Sequence, residues 1–340
     1  MSRRTPALST ITRDALPPGS KLLVAVSGGK DSISLLHLIH SLARELTLTI
    51  EVAHVNHNLR PDSGMDRDLV TSTAGRMGVR CHVKELSDPR SDSAPPGVSH
   101  SRTWSGNLEA WGREERYAFF TGLQRSLNFD WIVTAHTAND AAETLLMRLI
   151  ANKETGTILA RDERRQVLRP LLRASREQID EYAHEHQLDW REDSSNLDLS
   201  FTRNRIRHRV LPFLEQEFGK GTTRSVAERA AGLGGDDELL DELAHKVATQ
   251  IGPVTFNSEG WLTRASEVLA TTPLSLQWRA VGILFLPILG FPLGPRRSLP
   301  VIELIVDRKG RLDIDANTQL SATSRGVLLS KEGVSAAGCP

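Results

Sequence analysis

The chain has 340 residues, enough for two domains, and 39% of them are hydrophobic, so a substantial core can form. Its 42 basic residues equal its 42 acidic residues, which excludes an overall attraction to nucleic acid and leaves local patches as the means of binding RNA. The two cysteines, Cys81 and Cys339, are too few for a disulfide framework or an iron–sulfur cluster. No apolar stretch reaches membrane-spanning length, so we expect a soluble cytoplasmic protein without a membrane partner.

Short apolar runs alternate with helical stretches from Lys21 to about Ile150, a pattern typical of a parallel sheet built from βαβ units. The predicted strands are Leu22–Val26, Leu48–Val55, Arg80–Glu85 and Trp131–Ala135. The predicted helices are Ile33–Leu46, Leu108–Leu127, Ala138–Ala151 and Ser175–Gln187. The stretch Ser87–Asn107, rich in Ser, Pro and Gly, is predicted to be a long loop and a candidate lid.

The remainder of the chain is predicted to be a smaller, mainly helical domain with a short β-like tail. Its predicted helices are Ser225–Ile251 and Leu274–Leu286, and strand-like alternation occurs in Arg311–Ile314 and Gly326–Leu329. Leu211-Pro212 marks a boundary region. We therefore divide the chain into an N-terminal extension (1–20), an α/β domain (21–217) and an auxiliary domain (218–340).

The first motif is Ser27-Gly28-Gly29-Lys30-Asp31-Ser32, which follows the first strand directly and opens a helix. Two glycines allow a tight turn with converging N–H groups, and the helix N-terminus adds partial positive charge, so the turn is suited to phosphate. The spacing is not that of a Walker loop, which has four residues between its glycine and the Gly-Lys pair. The alternative is an ordinary strand-to-helix turn.

Ala53, His54 and Val55 end the second strand, beside the expected position of this loop, and are candidates for binding adenosine. A polar strand end is the alternative. On the following helix, Arg113 and Arg116 are three residues apart and share a face suited to phosphate or RNA backbone. They can equally pair with neighbouring glutamates in a solvated surface helix.

Acidic residues also follow the fourth strand. His136 lies at the strand end, and Asp140 and Glu143 share a face of the next helix. With Asp31 they are candidate ligands for Mg²⁺ against a polyphosphate, since magnesium prefers oxygen ligands. The alternative is that acids in a first helical turn only compensate the helix dipole.

A basic block follows Asp193-Ser194-Ser195-Asn196. Four arginines alternate with other residues between Arg203 and Arg209, a dense positive patch in a neutral protein. Phosphate is the expected partner, and RNA is a source of repeated phosphates. A solvated charge run is the alternative.

Together these motifs resemble those of the tRNA(Ile)-lysidine synthetases, a family of N-type ATP pyrophosphatases also called PP-loop enzymes. The resemblance covers Lys21 to Leu214. Ser27–Ser32 matches the pyrophosphatase loop, and the block from Asp193 through Arg207 to Pro212 is the most discriminating. The other matching elements are His54–Arg60, Asn107–Tyr117 and His136–Glu143.

The resemblance implies an adenine nucleotide alpha hydrolase-like domain that uses ATP and Mg²⁺ to ligate L-lysine to the wobble cytidine of the isoleucine tRNA with a CAU anticodon. It assigns Ser27–Ser32 and Ala53–Val55 to ATP, with Lys30, Asp31, Arg113, His136 and Asp140 catalytic. It assigns the metal to Asp31, Asp140 and Glu143. Contacts with tRNA or the nucleotide intermediate are implied for Arg60, Arg116, Arg203, Asn204, Arg205 and Arg207. We also expect a homodimer.

The chain departs from the family at three places. Ile150–Gly156 replaces an Arg-Gly-rich turn, Gly112 replaces an alanine, and the Ser87–Asn107 loop is long. Two other functions stay open. A tRNA thiolase would share the ATP loop but normally needs paired cysteines, and a catalytically silent tRNA-binding homologue would retain only the fold.

Overall fold

The computed structural model describes residues 7–58, 62–87, 108–151, 157–192, 198–291, 293–315, 318–323 and 325–331. It divides the chain into two compact units, Met1–Leu233 and Gly234–Pro340. The strands of the first unit are β1 (Lys21–Ala25), β2 (Thr49–Asn56), β3 (Cys81–Glu85), β4 (Trp131–Val133), β5 (Arg161–Asp162) and β6 (Val167–Leu168). Its helices are α1 (Leu8–Ala15), α2 (Lys30–Leu42), α3 (Ser63–Arg76), α4 (Leu108–Leu127), α5 (Ala138–Ile150), α6 (Arg176–Glu185), α7 (Thr202–Arg205) and α8 (Leu211–Phe218).

The six strands form one sheet in the order β3-β2-β1-β4-β6-β5. All neighbours are parallel except β5, which is antiparallel to β6. Strand β1 pairs with β2 along one edge and with β4 along the other. Both of its faces are also covered, since Leu22 and Val24 belong to one apolar cluster and Leu23 to another. The predicted α/β class with a parallel sheet is confirmed.

The four predicted strands are present, but β5 and β6 were not predicted because two residues carry no usable periodicity. Helix α3 was also missed, since its only buried apolar residues are Val70 and Ala74. The predicted N-terminal extension contains helix α1, whose Leu8 is buried in the main core cluster. Residues 7–20 of this segment therefore contribute to the core of the first unit.

The division between the units falls inside one helix, α9 (Thr222–Ile251). Its first part packs Ala227 and Ala230 against α5 and α8 residues, which explains why the contacts divide the chain after Leu233 and not at the predicted 217/218 boundary.

The second unit contains α10 (Glu259–Thr271), α11 (Leu274–Leu289), α12 (Pro295–Asp307) and an antiparallel sheet of β7 (Gly310–Asp315), β8 (Thr318–Thr323) and β9 (Gly326–Lys331). The predicted helical character is confirmed, with a core around the fully buried Phe285. Helices α10 and α12 and strand β8 were not predicted. In the described part of the chain, no helix combines the length and apolar content needed to cross a membrane.

Candidate active site

The glycine-rich loop lies between the end of β1 and the start of α2. Gly28 has φ of +94°, a left-handed conformation that glycine adopts without strain. Both serines close the loop: the N–H of Ser27 donates to Ser32 Oγ at 3.1 Å, and Ser32 Oγ donates to the Gly29 carbonyl at 2.9 Å. These bonds hold the loop in place at the N-terminus of α2, where an anion is favoured.

A second segment, not singled out by the sequence analysis, holds this loop from outside. Lys30 Nζ lies 2.6 Å from Asp180 Oδ1 of α6 and 5.4 Å from the centre of the Trp190 ring. The N–H of Arg191 donates to the Gly28 carbonyl at 3.0 Å, and its Nε donates to Asp66 at 2.7 Å. These contacts connect positions far apart in the sequence, so spacing could not reveal them.

His54 lies at the carboxyl end of β2, directly beside the loop. It is 2% exposed, and its Nδ1 lies 2.8 Å from the Val26 carbonyl, which can only accept. Nδ1 therefore carries the proton. Burial lowers the pKa of His54, and its Nε2 is buried without a partner among the described residues. The site thus presents a neutral acceptor beside Ala53 and Val55.

Helix α5 begins at Thr137, which forms a capping box with Asp140: the Thr137 N–H donates to Asp140 Oδ2 at 2.8 Å. His136 precedes the helix, with Nδ1 2.8 Å from Thr134 Oγ1. Burial lowers the pKa of His136 to about 4 against the opposing effect of Asp140. His136 is therefore a neutral imidazole near pH 7.

Two acids and two arginines form a cluster on the inner side of α5. Arg203 donates to Asp140 and to Glu143, each at 2.7 Å. Arg207 donates to Glu143 Oε1 at 2.6 Å and to Asp140 at 3.1 Å. Glu143 is completely buried. Burial opposes ionisation of Asp140, but Arg203 and the Thr137 N–H hold its pKa below the ordinary value.

Asp31 lies in the first turn of α2, and charges of this cluster affect its pKa. Burial first, and the charge of Asp140 second, raise the pKa of Asp31 to about 6. Within the described ranges, no group of three His, Cys, Asp or Glu side chains is arranged to hold a metal ion. Both oxygens of Glu143 accept from arginines, and those of Asp140 accept from Arg203, Arg207 and Thr137. Carboxylate oxygens are the ligands that magnesium prefers, so Asp31, Asp140 and Glu143 stay predicted ligands of an ion that takes its other ligands from phosphate and water.

The chain is similar to known proteins along most of its length. The PP-loop domain family matches residues 5–214, more than half of the chain. A tRNA(Ile)-lysidine synthase of Nostoc sp. is 31% identical over 285 residues, covering 79% of each chain. The chain belongs to the tRNA(Ile)-lysidine synthase family. The family predicted from the sequence is therefore confirmed.

Other matches differ in coverage. A synthase of Clostridium perfringens is 35% identical over 231 residues, which are 67% of this chain and 47% of that protein, so the chain spans about half the length of that relative. The solved structure of the U34-tRNA thiolase NcsA from Methanococcus maripaludis, with its [4Fe-4S] cluster, has a TM-score of 0.56 at 15% identity. It covers 67% of this chain and 78% of its own, and supports the fold alone.

In this lysidine synthase family member, the residues expected to contact tRNA separate into two groups. Arg203 and Arg207 point inward to the acids, and Asn204 is buried and donates to the Asp198 carbonyl at 2.9 Å. These three residues make internal contacts in the structure, and their contacts with RNA or the nucleotide intermediate stay a prediction. Four described residues of this block were predicted to contact RNA, and Arg205 is the one that is exposed. Its Nη2 lies 2.9 Å from Thr202 Oγ1.

The α4 arginines are exposed, as expected for a binding face. Burial chiefly lowers the pKa of His136, and the charge of Arg113 makes a smaller contribution in the same direction. Arg116 donates to the Gly112 carbonyl at 3.3 Å. A steric reason favours glycine at position 112, because a Cβ there would lie 3.1 Å from the His57 ring. The alternative prediction paired these arginines with neighbouring glutamates. One of those glutamates, Glu115, accepts from Lys84 Nζ at 2.9 Å.

Several predicted site residues lie outside the described residues. These are Arg60, Asn107, the block Asp193–Asn196, and residues 88–107 and 152–156 of the two divergent loops.

Proposed function

We propose that this protein ligates L-lysine to C2 of the wobble cytidine of a tRNA(Ile) with a CAU anticodon, converting ATP to AMP and pyrophosphate. The observation that carries the proposal is the PP loop placed beside Asp31, Asp140 and His136 in a chain related to tRNA(Ile)-lysidine synthases along most of its length. The tRNA substrate places the reaction in the cytoplasm. A homodimer stays a prediction.

ATP binds with its phosphates on the Ser27–Ser32 loop. The N–H groups at the start of α2 and the Lys30 ammonium donate to the β- and γ-phosphates, where charge accumulates as pyrophosphate leaves. The adenosine lies at the ends of β1 and β2, against Ala53–Val55. Asp31 and Asp140, with Glu143, would hold Mg²⁺, which would neutralise polyphosphate charge.

Two displacements follow. The cytosine C2 oxygen attacks the α-phosphorus, the bond to the bridging oxygen breaks, and pyrophosphate leaves. The lysine amine then attacks C2 and loses a proton, and AMP leaves with the former C2 oxygen. Arg113 stabilises the α-phosphate charge, and neutral His136 orients the base or the phosphate, since its pKa of about 4 makes it a poor proton donor at pH 7.

The target base must leave its stack to reach this site. Unstacking is easier in a single-stranded anticodon loop than in a duplex. An anticodon cytidine is therefore a suitable substrate for a site at the edge of a sheet.

The test is AMP release by the purified protein with ATP and Mg²⁺, with lysine present or absent and with tRNA(Ile) or tRNA(Met) bearing the CAU anticodon. The wobble nucleoside is then analysed by mass spectrometry. We expect AMP only with both lysine and tRNA(Ile), together with addition of one lysine to cytidine. AMP release without nucleoside modification would reject the ligase, and tRNA binding without AMP would support the silent homologue.

A thiolase is not favoured, although the fold is shared with one. The chain has only Cys81 and Cys339, and burial raises the pKa of Cys81 to about 11, which suppresses the reactive thiolate.

A further inference from the structure

Residues 202–218 form a continuous helical stretch with two different faces. It consists of α7, a π-helical turn over Ile206–Val210, and α8. The inner face carries Arg203 and Arg207 bound to the buried acids, with Ile206 and Leu211 in the core. The outer face is exposed and has a different composition.

Phe201 is the N-cap residue directly before this stretch, and Arg205, Arg209 and Phe213 follow it at intervals of four residues on that outer face. We call Phe201, Arg205, Arg209 and Phe213 the outer stripe. Phe201 is 46% exposed and Phe213 56%, and both arginines are exposed. Single exposed apolar residues are ordinary, but two phenylalanines that flank two arginines at helical spacing form a surface.

The helix geometry keeps the stripe together. Residues four apart are neighbours on a helix. The wider π-helical turn over Ile206–Val210 contains Arg209, and π-helical turns are rare and frequently functional. At about 1.5 Å per residue, the stripe is roughly 18 Å long. That length accommodates a few unstacked nucleotides.

The chemistry of the stripe matches single-stranded RNA. Each guanidinium has five N–H donors arranged for phosphate, and the Arg205 contact with Thr202 Oγ1 orients its guanidinium while leaving other donors available. A phenylalanine ring offers a face on which any base can stack. Glu215 accepts from the N–H groups of Gly221 and Thr223, which holds its carboxylate at the N-terminus of α9.

We propose that the outer stripe binds a single-stranded segment of the tRNA, with Arg205 and Arg209 on phosphates and Phe201 and Phe213 stacking on bases. This inference rests on the proposed function and extends it. Because the inner face of the same helix bonds Asp140 and Glu143, RNA held on the outer face remains close to the reacting centre.

The experiment measures Kd for tRNA(Ile) and for its isolated anticodon stem-loop by fluorescence anisotropy at several salt concentrations. For Arg205→Gln with Arg209→Gln, the slope of log K against log salt should become shallower by about 1.5, because two phosphate contacts are lost. For Phe213→Ala, we expect binding about 5- to 100-fold weaker at an unchanged slope, because stacking is not ionic.

Matched controls lie outside the stripe. Arg224→Gln changes an exposed arginine that pairs with Glu228, and Phe218→Ala changes a phenylalanine that is 74% exposed. Both should bind RNA like the wild type. If the double variant unfolds, Arg209→Gln alone serves, with about half the change in slope.

An unchanged Kd and slope in the stripe variants would overturn the inference, as would equal effects in the controls. A changed oligomeric state with unchanged RNA affinity would show that the stripe is a protein interface and would also overturn it. Cytidine modification by the wild type is scored separately, so RNA binding through the stripe without lysine ligation would reject the proposed function and keep the stripe.

Discussion

Glu143→Gln tests whether the acid–arginine cluster holds the helices of the active site together. Glu143 is completely buried, and its oxygens accept from Arg203 at 2.7 Å and from Arg207 at 2.6 Å. The substitution keeps the size and shape of the side chain and removes its charge. The two arginines, whose side chains are 29% and 23% exposed, then share the carboxylate of Asp140, and the charge of the cluster is no longer balanced.

The expected loss is about 3–5 kcal/mol, the usual result of removing one partner from a buried ion pair. A sum over the individual contacts, roughly 4.5–9 kcal/mol for three hydrogen bonds of about 1.5–3 kcal/mol each, exceeds the range of about 3–5 kcal/mol and overstates the loss, because the contributions of neighbouring contacts are not additive. The amide of glutamine retains an acceptor oxygen, so the lower part of that range is the more realistic expectation.

Hydrogen exchange of the α5 amides measures this loss without assuming that the two units unfold together. Glu228→Gln is the matched control: it removes the same charge from an exposed pair with Arg224 at 3.0 Å, where we expect no more than about 0.5 kcal/mol. A cycle that includes Arg207→Gln should show coupling, with the double variant less destabilised than the sum of the single variants.

A loss below about 1 kcal/mol for Glu143→Gln, equal to that of the control, would refute the reasoning. It would mean that the arginines find water or another acceptor when Glu143 is neutral. The cluster could then not be what positions Asp140 beside Asp31.

Three further predictions follow from the pKa values and contacts of single side chains. The pKa of Asp31 is raised to about 6, so the stability of the wild type falls as pH rises from about 4 through 6. Thermal unfolding should therefore show Asp31→Asn to be more stable than the wild type at pH 7, by up to about 3 kcal/mol, but not at pH 4. Asp180→Asn removes the anion 2.6 Å from Lys30, so calorimetry should show pyrophosphate binding about three- to tenfold tighter; weaker binding would mean that Asp180 orients the ammonium. With a pKa raised to about 11, Cys81 should be alkylated about 100-fold more slowly at pH 8 than a free thiol, measured by mass spectrometry in a Cys339→Ser background; a normal rate would contradict its burial.

The features that could be predicted were those encoded by neighbouring residues. The strand Leu22–Val26, the loop after it and the start of α2 are contiguous, so apolar run, glycines and helix periodicity all point to one arrangement. The capping box at Ser175 was predictable for the same reason, since its partner Gln178 is three residues away.

The features that were missed depend on distant partners. Spacing shows that Arg203 and Arg207 share a helix face, but not that the face meets Glu143, sixty residues earlier in the chain. The contacts of Arg191 with the PP loop have no local signal either. Sequence reasoning therefore found the arginines and assigned the inner pair to RNA, where the structure bonds them to carboxylates.

The position of β1 inside the sheet has a consequence for how the chain folds during synthesis. Its neighbour β4 pairs Trp131 with Leu22, more than one hundred residues later in the chain. At roughly 5–20 residues per second, the ribosome needs several seconds or more to deliver that partner. Until then the nascent chain displays an apolar strand edge at Leu22–Val24, which makes it a substrate for chaperones and the region where premature association between chains begins.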